Sequence, residues 1–235
     1  MSAPDISWGM MRKIRSQGVE IFHAHSPFTL GHFARRESKR LGVPLVATFH
    51  SKYYDDFLRM TGNPLLAELL TDYVVRFYSS ADAVWTVGTG TAKTLTEYGY
   101  RGDIRIIDNG TDISFPENYQ ELIEKTKIKF SIPDDKRILL FVGQQRWDKN
   151  LKLVLDTLKV LNCNEKKYHL ISVGSGYDEE EIRRYAESIG VKSETSFLGK
   201  ITEREELSGI YLSSDLFFFP SMYDNAPLVV REAAV

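Results

Sequence analysis

The chain has 235 residues and a formal net charge of -2, with 43% hydrophobic and 26% charged residues. This composition is typical of a globular protein and excludes a disordered one. The near-neutral charge offers no general field for nucleic acid. The single cysteine, Cys163, excludes an internal disulfide and a cysteine-based zinc site, which agrees with a reducing compartment.

Nothing in the sequence predicts a membrane span or a leader. No apolar run approaches the roughly 20 residues of a spanning helix. Residues Met1–Asp5 lack the charged and apolar regions of a signal peptide. We therefore expect a cytoplasmic protein. The basic segment Arg12–Arg40, where Glu20 and Glu37 are the only acidic residues, predicts either two solvated helix faces or a basic surface. Such a surface could face a phosphorylated substrate, or anionic lipid in a peripheral contact at the inner membrane face.

Short apolar runs alternate with amphipathic stretches, which predicts βαβ units around parallel sheets. After a helix-like Trp8–Gln17, the predicted strands are Val19–Ala24, Leu45–Phe49, Ala83–Val87, Ile104–Ile107, Arg137–Val142, Tyr168–Val173, Thr195–Leu198 and Leu216–Phe219. The predicted helices are Gly31–Leu41, Leu65–Ser79, Thr89–Tyr98, Asn150–Leu161 and Glu179–Ile189.

A strong turn signal, Asn109-Gly110, interrupts this alternation. We therefore expect two α/β lobes with separate parallel sheets, over residues 1–112 and 136–235, joined by a polar and less regular linker over 113–135. Both lobes are expected to be incomplete. The first shows about four strands where a doubly wound sheet has five or six, and the chain stops inside a predicted helix.

The segment Phe219–Ala234 carries the most chemical information. An apolar strand ends at Pro220, and a polar turn follows, in which Asp224 and Asn225 are candidate helix N-caps. The N–H groups at the start of the next helix would suit a diphosphate, and Glu232 could accept hydrogen bonds from ribose hydroxyls. From these residues alone, a buried helix with a satisfied Glu232 is the simpler interpretation.

A second strand, turn and helix start spans Phe141–Asn150 and holds Arg146 and Lys149. Two cations in such a turn could neutralise the charge that develops on a leaving diphosphate. Taken alone, these residues favour a helix-capping loop with solvated cations.

These segments resemble family-four retaining glycosyltransferases. Asp224 and Glu232 enclose seven residues, similar to the family's Glu-x7-Glu signature with Asp in the first place. Residues 142–150 resemble Val-Gly-Arg-x-x-x-Glu-Lys-Asn. Lys149 matches the family lysine, whereas Gln144 stands in place of the arginine, so Arg146 is expected to supply that charge.

Further segments agree with this family in the same order along the chain. His23–Gly31 resembles the His-x-His-x-Pro-Phe-Ser-Leu-Gly run of lipid- and glycan-modifying members, and Phe49-His50-Ser51 resembles their Tyr-His-Thr. The remaining similar segments are 108–112, 172–176, 197–200 and the lead-in 211–221.

The resemblance implies a GT-B fold, with two Rossmann-like lobes facing a cleft. It also implies transfer of a sugar, with retention, from a nucleotide sugar such as a UDP- or GDP-sugar to a lipid or glycan acceptor. The nucleotide sugar is a substrate, and neither a cofactor nor a metal is implied. The residues carried over are His25 and Asp224 as catalytic, His50 on the acceptor side, and Gly143, Arg146, Lys149, Gly174, Gly176, Lys200, Asn225, Ala226, Leu228, Val229 and Glu232 as donor-binding.

Two alternatives stay open: a GT-B nucleotide-sugar epimerase, and a truncated, non-catalytic binder of nucleotide sugars. A dinucleotide oxidoreductase is disfavoured because no Gly-x-Gly-x-x-Gly follows a strand. The neighbouring carboxylates Asp55 and Asp56 lack partners for a metal site. Two further histidines, His32 and His169, are expected to be structural.

Overall fold

A computed structural model of the chain describes residues 8–163 and 167–235. The expectation about a leader at Met1–Asp5 lies outside these residues. The chain divides into two compact units, Met1–Asn109 and Gly110–Val235. Each unit has its own four-stranded sheet, so the predicted pair of separate parallel sheets is confirmed. Within the described residues, no helix has both the length and the apolar character to cross a membrane.

The first unit is a parallel sheet with strand order β1-β2-β3-β4. Its strands are β1 (Phe22–Ala24), β2 (Leu45–Phe49), β3 (Ala83–Thr86) and β4 (Ile104–Ile106). Its helices are α1 (Trp8–Ser16), α2 (Thr29–Leu41), α3 (Tyr53–Thr61), α4 (Pro64–Tyr78) and α5 (Thr89–Glu97).

The core of the first unit lies around β2, whose five residues are all buried. Phe49 packs edge-to-face on Tyr78, with ring centroids 5.4 Å apart. Helix α2 begins close to this core because Gly31 has no side chain. A Cβ atom there would lie 2.0 Å from the Ser26 carbonyl oxygen and 2.8 Å from the Phe77 ring.

The second unit is a parallel sheet with strand order β7-β6-β5-β8. Its strands are β5 (Arg137–Val142), β6 (Tyr168–Val173), β7 (Thr195–Gly199) and β8 (Leu216–Phe217). Its helices are α6 (Tyr119–Phe130), α7 (Leu151–Leu161), α8 (Glu179–Ser188), α9 (Arg204–Leu212) and α10 (Leu228–Ala233).

Strand β5 has a hydrophobic core on each face. Leu139 and Phe141 pack on one side, while Ile138, Leu140 and Val142 pack on the other. An uninterrupted apolar run is what a strand buried on both faces requires. The bounds of β2, β5 and β6 are those predicted, whereas β1 and β8 are shorter than predicted.

The expectation of a less regular linker over 113–135 is wrong, because this segment contains α6, which belongs to the second unit. Leu122 and Thr126 lie one turn apart on α6 and are buried against α9. Only two residues of α6 are buried, so its sequence shows little apolar periodicity. Helices α3 and α9 were also not predicted.

Helices α6 and α9 approach closely at Gly209. A Cβ atom at this position would lie 2.0 Å from Thr126 Oγ1 and 3.3 Å from Leu122 Cγ. We expect Gly209→Ala to lower the free energy of unfolding of the second unit by about 1–3 kcal/mol, because overpacking outweighs the better helix propensity of alanine. Calorimetric or denaturant unfolding measures the change.

Adding Thr126→Ala to Gly209→Ala should recover part of this loss, since it removes the atom that the new methyl group meets. Gly110→Ala is the control, because a Cβ atom there meets nothing within 4 Å. A Gly209→Ala variant as stable as the parent protein would contradict the close packing of α6 on α9.

Candidate functional site

The turns that follow β5, β6, β7 and β8 lie at one edge of the second sheet, because the four strands are parallel. The loops after β5 and β6 are in backbone contact there. A Cβ atom on Gly174 would lie 1.9 Å from the Gly143 carbonyl oxygen, and one on Gly176 would lie 2.3 Å from the Gln145 carbonyl oxygen. The backbone at Gly174 is also left-handed, with φ of +126°. Gly174 and Gly176 therefore allow the two loops to approach closely. That they and Gly143 contact the donor stays a prediction.

Lys149 and Asp224 meet at this edge although 75 residues separate them. The Lys149 ammonium nitrogen lies 2.7 and 2.8 Å from the two carboxylate oxygens of Asp224. Both side chains are largely shielded, with exposures of 15% and 26%. Next to them, the Asn150 side chain donates to the Pro220 carbonyl oxygen at 3.3 Å, so two contacts join the loop after β5 to the loop after β8.

Arg146 has contacts in its own loop and in the loop after β6. Its guanidinium lies 2.8 Å from an Asp148 carboxylate oxygen and 4.8 Å from the centre of the Tyr177 ring. The Nε atom of Arg146 and the Oδ1 atom of Asp148 are buried and have no hydrogen-bond partner among the described residues. The charge of Arg146 is therefore offset by Asp148, and its expected role as the substitute for an arginine at Gln144 stays a prediction.

Glu232 is buried, with 8% exposure, and both of its carboxylate oxygens are engaged. Arg204 donates to Oε1 at 2.9 Å, and the Tyr211 hydroxyl donates to Oε2 at 3.0 Å. The hydrogen bond to Glu232 raises the pKa of Arg204, and burial raises the pKa of Tyr211. Glu232 and Lys149, both predicted to bind the donor, thus have different ion-pair partners.

Sequence reasoning missed both partners of Glu232. Tyr211 lies in the lead-in segment that resembles the family, so the motif could have indicated it. Arg204 gave no signal, because it lies within an acidic run, Glu203–Glu206. A cavity of about 90 Å³ is lined in part by Phe115, Tyr211 and Glu232.

The predicted capping of α10 is wrong. Pro227, whose side chain has no acceptor, occupies the N-cap position, and the carboxylate of Asp224 is bound to Lys149. The exposure of the other predicted donor-site residues varies. Lys200 and Leu228 are exposed, Asn225 and Ala226 are half-buried, and the Val229 carbonyl oxygen lies 3.3 Å from the Tyr211 hydroxyl.

A larger cavity of about 550 Å³ lies at the opposite edge of this sheet, where β5 begins. Two ion pairs lie in its lining. Lys127 lies 2.7 Å from Asp134, and Arg137 lies 2.7 Å from Asp215. Ligands of open α/β sheets bind outside the carboxyl ends of the strands, so this cavity is the weaker candidate.

Three histidines cluster in the first unit, on or just after β1 and β2. His25 Nδ1 and His50 Nε2 are 2.9 Å apart, with ring centroids 5.2 Å apart. The His23 ring lies 4.2 Å from that of His25, and its Nε2 atom is 2.7 Å from Thr48 Oγ1. Burial lowers the pKa of His50, and the neighbouring His25 lowers it further. The structure thus brings the two predicted histidines, His25 and His50, together. The contact between them uses Nδ1 of His25 and leaves its Nε2 outside that contact.

The remaining histidines have structural contacts. His32 is hydrogen-bonded to Tyr73, and the buried His169 lies 2.9 Å from Ser196 Oγ. The described part of the chain contains no group of three or more histidine, cysteine and acidic side chains that could hold a metal ion. Asp56 instead pairs with Arg59 at 2.6 Å.

Two arginines of the basic segment Arg12–Arg40 lie close to the carboxylate of Glu37. Arg15 lies 2.9 Å from the buried carboxylate of Glu37, and Arg36 lies 3.5 Å from it. Arg12, Lys13, Lys39 and Arg40 are exposed. A membrane-facing role for them stays a prediction.

Two family models match the chain in succession. The model of Glycosyltransferase Family 4 matches residues 3–115, and the model of Glycosyl transferases group 1 matches residues 123–235. Among curated proteins, the alpha-monoglucosyldiacylglycerol synthase of Streptococcus pneumoniae is 24% identical over 92% of this chain and 49% of its own length. The D-rhamnosyltransferase WbpZ of Pseudomonas aeruginosa is 27% identical over 93% of this chain and 54% of its own. The chain thus spans about half the length of these relatives.

Solved structures agree in fold. Sucrose-phosphate synthase from Thermosynechococcus elongatus superposes with a TM-score of 0.74 at 20% identity, over 95% of this chain and 56% of its own. Anabaena HepE in complex with UDP superposes with a TM-score of 0.75 at 17% identity, over 96% and 60%. These superpositions support the predicted two-lobed fold class. At such low sequence identity they say nothing about the substrate.

The surroundings of His50 predict its titration. Its midpoint in an NMR titration should lie below about 6.5, the ordinary value for histidine. The unfolded chain then binds this proton at a higher pH than the folded chain does. The contribution of His50 to stability is therefore complete above about pH 6.5 and is lost as the pH falls through its lower folded pKa.

In the His25→Asn variant the midpoint of His50 should rise, because one cause of its lowering is removed. The His169 midpoint, also lowered by burial, is the internal control and should not move. A His50 midpoint at or above 6.5 in the parent protein would contradict the burial and coupling of this pair.

Proposed function

Because this chain belongs to the family-four glycosyltransferases, we propose that the protein transfers a sugar from a nucleotide diphosphate sugar to a lipid or glycan acceptor, with retention at the anomeric carbon. The observation that carries the proposal is the ion pair between Lys149 and Asp224. It joins the two segments in which the family resemblance is strongest, at the sheet edge where α/β proteins bind ligands.

Lys149 has the position and the charge to bind the donor diphosphate. A lysine that is only 15% exposed is partly desolvated, so a charge-assisted hydrogen bond from it to a phosphate oxygen is stronger than one in open solvent. As the bond to the sugar breaks, negative charge grows on the leaving diphosphate. An ammonium fixed nearby stabilises this charge without reorganisation.

Asp224 has a second use once a phosphate engages Lys149. Its carboxylate accepts hydrogen bonds, and the hydroxyls of the donor sugar are donors of the right kind. In the absence of ligand the carboxylate holds the lysine in place. We propose that with donor bound it orients the sugar, which is the catalytic role proposed for it.

Glu232 suits the ribose. A carboxylate offers about four lone-pair positions, and Arg204 and Tyr211 use two of them. The remaining positions can accept from ribose hydroxyls. Because both oxygens are already held, the orientation of the carboxylate is fixed before a nucleotide binds, which lowers the entropic cost of binding.

In the first unit, His25 and His50 are proposed to act on the donor sugar and on the acceptor side. The nitrogen His25 Nδ1 is engaged with His50, which leaves His25 Nε2 for a substrate group.

A lipid or glycan acceptor is supported by relatives named as a glucosyldiacylglycerol synthase and a rhamnosyltransferase. The exposed cations of residues 12–40 would suit a peripheral contact with an anionic membrane.

The first prediction for this site concerns its cations. Lys149→Met should weaken the binding of UDP or GDP about ten- to a hundredfold, because one charge-assisted hydrogen bond contributes roughly 1.5–3 kcal/mol. Arg146→Met should affect binding less and turnover more, because Asp148 already offsets its charge in the ground state. Isothermal titration with each nucleotide gives the affinities.

Lys129→Met is the matched control, because Lys129 is an ion-paired lysine of the same unit whose partner is Glu206. Equal affinities for Lys149→Met and the control would remove the support for the donor site.

Assays with and without a panel of acceptors separate the proposed transferase from the two alternative functions. Turnover that needs no acceptor would indicate an epimerase, and nucleotide binding without turnover would indicate a non-catalytic binder.

The second prediction concerns the carboxylate. Asp224→Asn should leave the affinity for UDP or GDP unchanged or increase it, because the charge of Lys149 is no longer offset. Turnover with a nucleotide sugar should fall about tenfold or more, because the amide is a weaker acceptor for the sugar hydroxyls. If Asp224 only supported the loop, affinity and turnover would fall together.

A further inference from the structure

Arg204 joins the buried carboxylate of Glu232 to a second carboxylate outside the donor motif. Its Nη1 atom lies 2.9 Å from Glu232 Oε1, and its Nη2 atom lies 2.8 Å from Asp112 Oδ1. Asp112 comes two residues after Gly110, where the second unit begins. One planar guanidinium therefore bridges the proposed ribose-binding residue and the first residues of the unit.

The two halves of this bridge differ in strength. Glu232 is buried, and a buried carboxylate needs a partner, so its bond to Arg204 is the strong half. The side chains of Arg204 and Asp112 are 53% and 66% exposed. Exposed ion pairs contribute little and are easily exchanged, so the bond to Asp112 is the adjustable half.

One neighbouring carboxylate is engaged elsewhere, and the chain beside Asp112 makes a local hydrogen bond. Within the run Glu203–Glu206, Glu206 is bound to Lys129. Beside Asp112, the backbone N–H of Ile113 donates to Thr111 Oγ1 at 3.1 Å. This hydrogen bond links the residues on either side of Asp112.

We propose that Arg204 is a positioning residue that makes nucleotide affinity depend on Asp112. The carboxylate of Asp112 holds one edge of the guanidinium, and the other edge fixes Glu232 so that its remaining lone pairs are available to ribose. The proposal rests on the proposed function of Glu232. Coupling between two groups is reciprocal, so a bound nucleotide that fixes Glu232 also orders Arg204 and residues 110–114.

The test measures the affinity of the full chain for UDP and GDP in a double-mutant cycle. Asp112→Asn should weaken binding about two- to fivefold, the range for an exposed ion pair. Arg204→Gln should weaken it about tenfold or more, because Glu232 loses its cation. The double variant should bind no more weakly than Arg204→Gln alone, since Asp112 acts only through Arg204.

Arg204→Lys separates the two halves of the bridge. A lysine can pair with Glu232 but cannot hold two carboxylates in the fixed geometry of a guanidinium. Its affinity should therefore match that of Asp112→Asn, and it keeps the test usable if Arg204→Gln does not fold. Glu206→Gln is the control, because it neutralises an ion-paired carboxylate on the same helix that is not part of the bridge.

Hydrogen exchange supplies a second measurement. In the parent protein, saturating nucleotide should slow amide exchange in residues 110–114, and this protection should disappear in Asp112→Asn and in Arg204→Lys. Additive losses in the cycle, or protection that survives both variants, would overturn the inference and leave the proposed function intact. Nucleotide affinity that is unchanged in Glu232→Gln would instead overturn the assignment of Glu232 to ribose.

Discussion

The backbone contact between the loops after β5 and β6 fixes the turn that carries Lys149. Gln145 takes part through its own backbone: its N–H donates to the Ser175 carbonyl oxygen, and its carbonyl oxygen accepts from the N–H of Asp178. Asp178 in turn accepts a hydrogen bond from the N–H of Trp147 at 3.0 Å. This fixes the short 3-10 turn Trp147–Lys149, and hence the direction of Lys149. A side chain at Gly174 would open the contact and move the lysine away from Asp224.

Much of the fold could be predicted because the strands of the second sheet are buried on both faces. Such strands are apolar at successive positions, so the bounds of β5 and β6 follow from the sequence. Helix α6 could not be found in this way. Its polar face is wide, and its packing depends on a glycine of α9 about 80 residues away, which is a tertiary feature that no local pattern records.

The candidate site was predictable to a similar degree. The motif spacing identifies Asp224, and the turn after β5 identifies Lys149, and the fold joins these two residues by an ion pair. Their partners were not predictable. The motif places Asp224 at a helix start, whereas its carboxylate is bound to Lys149. The cation that neutralises Glu232 comes from an acidic run on α9, because the position of Arg204 and not the net charge of its segment decides the pairing.

In the absence of ligand, three charged groups proposed to contact or assist the donor are already paired: Lys149 with Asp224, Arg146 with Asp148, and Glu232 with Arg204. Partly buried charges without partners would destabilise the unit, so this pairing keeps the loops folded. In the proposed reaction, a diphosphate would compete with Asp224 for Lys149, which would limit its affinity in the ground state. As the sugar left, the charge on the diphosphate would grow while that of the carboxylate would not. The balance would shift towards the phosphate, so the interaction would strengthen where it accelerates the proposed reaction.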